Sequence, residues 1–111
     1  MTNEYGVQLD SNGYAPSVIQ FYDSGRCFMC GKRGDLARHE VFHGSNRTKS
    51  KALGCWVYLC PKCHTELHGK DGSMDWELKT IGQRYAMTYY DWTPEEFRER
   101  FGRTYGEQVF R

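Results

Sequence analysis

The chain has no run of roughly 18 apolar residues, the length a helix needs to cross a bilayer. Only 39% of its residues are hydrophobic, and the mean hydropathy is -0.77. Its first fourteen residues (MTNEYGVQLDSNGY) lack both the basic and the hydrophobic part of a secretion signal. These absences predict a cytoplasmic protein with no membrane partner. Internal repeats and low-complexity tracts are missing too, which leaves one domain. At 111 residues there is no room for a second large core. A chain this poor in apolar residues gains from a staple such as a bound metal.

Net charge is also small, at +1, but it is unevenly distributed. Residues 26–70 carry nine Lys/Arg against three acids, while the rest carries six bases against eleven acids. A positive middle in an otherwise acidic chain points to a local anionic partner, most commonly nucleic acid. All five cysteines and all four histidines lie in the same window.

An odd number of cysteines without a secretion signal argues for metal-bound thiolates rather than disulfides. Cys27-Phe-Met-Cys30 and Cys60-Pro-Lys-Cys63 are two CxxC pairs with 29 residues between them. Each pair can grip one face of a tetrahedral ion, and two such knuckles make a structural four-cysteine zinc site. Gly31 and Pro61 suit the tight turns around the thiolates. A redox CxxC normally stands alone at a helix start, so two pairs disfavour it. Cys55, left without a partner, is expected to be a small apolar strand residue.

Three regions follow: an N-terminal extended segment (1–25), a core (26–70) and a C-terminal helical extension of the same domain (71–111). The first shows a turn at Ser11-Asn12-Gly13, an extended segment or short strand at Val18-Ile19-Gln20-Phe21-Tyr22, and no chemistry. In the core, strands are predicted over 37–42 and 55–59, joined by an exposed polar loop over 43–51. A helix over 61–69 follows, with Pro61 at its start and Gly69 as its C-cap. Leu78, Ile81 and Tyr85 mark the buried face of a helix over 75–87. A second support helix is announced by Thr93 as N-cap, Pro94, Glu96 completing a capping box, and Trp92 against Phe97 as a staple. Phe97 and Phe101 share its inner face, and Gly102 ends it.

His64 and His68, four residues apart on the helix after the second knuckle, share a face and can ligate one ion. His64 directly follows Cys63, so a structural zinc would anchor its backbone. His39 and Glu40 on the first strand are candidates for the same site.

The arrangement strand, polar loop, strand and CxxCH with a further histidine (Cys60-Pro-Lys-Cys-His64-Thr-Glu-Leu-His68) resembles the HNH, or ββα-metal, endonucleases. The segment His39-Glu-Val-Phe-His43-Gly-Ser-Asn-Arg47 is similar to the small HNH proteins of bacteriophages. The likeness covers about residues 26–70. It implies an α+β fold: a small zinc-stapled, treble-clef-like ββα-metal domain with supporting C-terminal helices. It also implies a metal-dependent endonuclease cutting DNA phosphodiesters with low sequence specificity.

Cofactors would be a structural Zn²⁺ on Cys27, Cys30, Cys60 and Cys63, and one catalytic divalent cation (Mg²⁺, Mn²⁺, Ni²⁺ or Zn²⁺). His64 and His68 fall on the family's metal-binding helix positions. His39-Glu40 stands where the family has its ligand and base. Either His39 is a ligand and Glu40 the base, or His39 is the base. An imidazole titrating near 6.5 suits neutral catalysis better than a glutamate does. His43 is a further candidate base. Cys55 stands where the family has an asparagine whose hydrogen bond braces the backbone.

Hydrolysis of a phosphodiester needs a base, a divalent cation and cationic side chains on the backbone phosphates. Arg47, Lys49 and Lys51 are the expected phosphate contacts. A phage or host protein partner is left open. The competing reading is a non-catalytic zinc-knuckle module that binds nucleic acid or protein with a decayed site, kept alive by Glu40 and Cys55.

Overall fold

A computed structural model describes residues 1–20, 25–69 and 71–106. Its sheet has two antiparallel strands, β1 (Ala37–Glu40) and β2 (Trp56–Leu59), paired as Ala37↔Leu59, Arg38↔Tyr58, His39↔Val57 and Glu40↔Trp56. Side chains alternate across a strand. One face therefore carries Arg38, Glu40, Trp56 and Tyr58, and the other carries His39 beside Val57 and Leu59. The four helices are α1 (Arg47–Ala52), α2 (Pro61–Gly69), α3 (Ser73–Tyr90) and α4 (Pro94–Phe101). The result is a small α+β domain, and no described helix is long and apolar enough to cross a membrane.

Both strands are shorter than predicted. The ladder ends at Glu40, and after one more bond from Val41 N to Cys55 O the chain turns Val41 and Phe42 into the core. Phe42 meets Phe97, Phe101 and Tyr105 at ring-centroid distances of 5.2, 4.6 and 5.7 Å. It is thus the link between the sheet and α4.

The expected exposed loop is instead a single 3₁₀ turn (Gly44–Asn46) followed by α1. Residues 47–52 contain no helix breaker, and the helix is anchored from inside. Buried Ser50 accepts a hydrogen bond from Phe42 N (3.2 Å) and donates to Cys55 O (2.6 Å). Six residues are too few for a helical apolar stripe to show in the sequence, which is why this element was missed.

α2 begins at Pro61 as expected, and Gly69 is its last residue rather than the cap beyond it. α3 extends past both predicted ends. Its buried residues are Leu78, Gly82, Gln83 and Ala86, whereas Tyr85, predicted to face inward, is exposed. The shift has a steric cause. A Cβ on Gly82 would stand 2.9 Å from Val41 Cγ1, so the face that packs on the sheet must be small. α4 matches its sequence signals: Thr93 and Glu96 form the reciprocal capping box, Pro94 opens it, and Phe97 and Phe101 are buried. Gly102 caps it at φ +87°, a left-handed conformation that favours glycine.

Of the segment over 18–22, expected to be extended or a short strand, residues 18–20 form no strand, and Phe21 and Tyr22 lie outside the described residues. Buried Gln20 instead spans the fold, accepting from Tyr58 N (2.8 Å) and donating to Arg26 O (2.6 Å). Further along α4, Asn46 Nδ2 donates to Phe101 O and Lys49 Nζ to Arg100 O, so the 3₁₀ turn and α1 cap the end of that helix.

Candidate metal centres

The two knuckles meet. Phe28 N donates to Tyr58 O (2.8 Å), fixing the first knuckle to β2, while the second opens α2. Ligand atoms of Cys27, Cys30, Cys60 and Cys63 all lie within 4.8 Å of one another. Cys30 and Cys60 sulfurs are 3.8 Å apart. A tetrahedron with Zn–S bonds of about 2.3 Å has edges of about 3.8 Å, so the donor set fits a structural zinc.

Burial alone would raise the Cys27 thiol. Hydrogen bonds from the backbone of Cys60, Cys30 and Met29 outweigh it and bring the group down to about 6. Cys55 lies outside this cluster, fully buried, and its burial pushes the thiol up, as expected for an apolar packing residue. Ser50 bridges the chain just after β1 to the chain just before β2, through Phe42 N and Cys55 O.

A second cluster joins the same helix to β1. His39, His64 and His68 offer nitrogens within 4.8 Å of one another. Ring centroids are separated by 5.2 Å (His39–His64 and His64–His68) and 5.7 Å (His39–His68). His39 is only 4% exposed, and its Nε2 is buried with no hydrogen-bond partner. Burial, then the neighbouring imidazoles of His64, His43 and His68, lower its pKa to about 4. The ring therefore stays neutral, the state a metal ligand requires. An orphaned buried nitrogen beside two further imidazoles fits a divalent cation.

His43 lies at the edge of this group, its ring 5.7 Å from that of His68 and 5.9 Å from that of His39. Its Nε2 is 3.1 and 3.3 Å from the two carboxylate oxygens of Asp75, at the start of α3. Burial works against ionisation of Asp75, but hydrogen bonds from Lys79 and His43 hold its carboxyl below the usual range. Asp75 was not singled out in the sequence, since nothing near it announces a partner 32 residues away.

Glu40 is also buried, and both of its oxygens are engaged. Oε1 accepts from Arg47 Nε at 2.8 Å, and Oε2 accepts from the Tyr14 hydroxyl. Burial, then this bond, raises the Tyr14 pKa to about 12, so it stays a donor. Tyr14 thus brings the N-terminal segment, from which no chemistry was expected, into the site. A cavity of about 260 Å³ lined by His39, His43, His64, His68, Arg38 and Arg47 joins these groups.

The three cations expected on phosphates all have protein partners: Arg47 on Glu40, Lys49 on Arg100 O, and Lys51 on Asn12 O at 3.4 Å. Arg47 is nonetheless 63% exposed, which leaves the rest of its guanidinium free to meet a ligand in the cavity. No protein-family profile, curated protein or solved structure matches the chain.

Proposed function

We propose that the protein is an HNH-type endonuclease, hydrolysing phosphodiester bonds of DNA with the help of a divalent cation. The observation that carries this reading is the convergence of His39, His64 and His68 on one point, at the floor of a cavity with two arginines on its wall. The order β1, connecting turn and helix, β2, α2 agrees with a ββα-metal, treble-clef-like arrangement, with the four-cysteine zinc holding α2 in place.

In this reading His39, His64 and His68 hold the catalytic ion. When bound, it supplies positive charge for the scissile phosphate and the leaving oxygen. His39 is a ligand rather than the base, because its environment keeps it neutral but leaves it far too weak a base for neutral pH. Glu40 is a positioning residue: with both oxygens taken by Tyr14 and Arg47, it aims the arginine into the cavity. His43 is the base. Asp75 pairs with its Nε2 and orients the ring, which leaves Nδ1 to take the proton from water. Arg47 and Arg38 face the phosphate.

Plasmid nicking by the purified zinc-loaded protein tests this, with Mg²⁺, Mn²⁺, Ni²⁺ or Zn²⁺ added in turn. Expected is conversion of supercoiled to open-circular DNA with at least one of these ions, abolished by His64→Ala. Binding without cleavage under every ion would instead support the non-catalytic zinc-knuckle module.

A further inference from the structure

The histidine cavity belongs to a longer depression. Its neighbour, of about 460 Å³, is bounded by the turn at Gly34–Leu36 and the start of α2, and the two meet at His64. That cavity continues into one of about 390 Å³, with Gly34, Asp35 and Pro61 lining both. Lys32, Arg33 and Lys62 surround the far end. Among the described residues these three exposed side chains form no ion pair, and Asp35 is the one carboxylate lining this cavity. Unlike Lys49 and Lys51, whose ammonium groups are spent on backbone carbonyls, their side chains bond none of the described residues. They also rise directly from the two knuckles, so the structural zinc fixes their backbone.

We infer that this channel is the track for one nucleic-acid strand, with Lys32, Arg33 and Lys62 binding backbone phosphates on one side of the scissile position and Arg47 on the other. The inference rests on the nuclease reading and adds to it the path of the substrate. A row of exposed cations along a groove that leads to the histidines has the charge and shape complementarity for a polyphosphate backbone. The molecule measures 34 × 34 × 25 Å, so a strand rising about 3.4 Å per nucleotide would cross it in roughly seven to ten nucleotides.

The test is fluorescence anisotropy of the zinc-loaded chain with a labelled single-stranded 12-mer and its duplex, without added divalent cation, over a range of salt. Three substitutions together, Lys32→Gln, Arg33→Gln and Lys62→Gln, are expected to flatten the plot of log affinity against log salt. The slope should fall by about 2 on the single strand and about 2.7 on the duplex, the loss of three phosphate contacts. Arg84→Gln with Arg98→Gln, exposed cations on α3 and α4 away from the channel, should leave the slope unchanged.

An unaltered slope in the triple variant, or an equal loss in the control, overturns the track while leaving the nuclease reading intact if the wild type still binds and nicks. Wild-type protein that neither binds nor nicks overturns both. If the triple variant loses its zinc, Lys62→Gln alone decides, with an expected fall of about 0.7 on the single strand.

Discussion

The cysteine and histidine clusters draw ligands from the same helix, yet differ in what surrounds them. Cys60 and Cys63 face a knuckle that supplies the other two thiols, which completes a tetrahedron and leaves no coordination position open. His64 and His68 face a strand that supplies one imidazole, and the remaining side opens into a cavity. One cluster can only hold the fold, whereas the other keeps a place for a ligand. A zinc staple placed one residue before His64 would let a very small domain build a rigid, open site without a large core.

The sharpest way to break this comparison is to remove one ligand from each side. Cys60→Ser should lose zinc and unfold the domain, because structural zinc contributes on the order of 10–16 kcal/mol. Cys55→Ser should keep the metal and cost about 1–3 kcal/mol, the cost of a hydroxyl in an apolar site. Elemental analysis with thermal melts measures both, and retention of zinc by Cys60→Ser would contradict the assignment.

His64→Ala should lower nicking by orders of magnitude while the melting temperature moves by only a few degrees. Collapse of the fold in that variant would move His64 to the structural side of the comparison.

Acid separates the clusters further. Burial holds His39 near 4, against about 6.5 in the unfolded chain. Between those values the native state binds fewer protons than the unfolded state, so stability falls as pH drops from about 6.5 to 4. The loss amounts to at most about 3 kcal/mol. His39→Phe should remove most of that slope while abolishing nicking. Melts at pH 7.5 and 5.0 check this, and identical slopes in the two proteins would show that His39 titrates normally.

The smallest expected effect concerns orientation. Asp75→Asn should lower kcat about 10- to 100-fold with KM little changed, and Asp75→Glu should recover part of the loss. A rise in KM alone would place Asp75 in substrate binding rather than behind His43.

What the amino-acid sequence determined by itself is local. Two CxxC spacings, two histidines one helical turn apart, and the Thr93-Pro94-Glu96 signal each join residues within four positions, where backbone geometry alone brings the side chains together. Where a helix turns inward, how long a strand continues, and whether a cation is free depend on packing across the chain. Tyr85 fits an amphipathic period but lies outward, because Gly82 must pass close to Val41. Lys49 looks solvated in the sequence but caps α4 through Arg100, 51 residues away. The same holds for the chemistry. Tyr14 reaches Glu40 over 26 residues and Asp75 reaches His43 over 32, contacts with no periodicity to announce them. The sequence therefore named the candidate metal ligands, and only the tertiary structure decided which histidine is neutral and enclosed, which is paired with a carboxylate, and which cations are held by the fold.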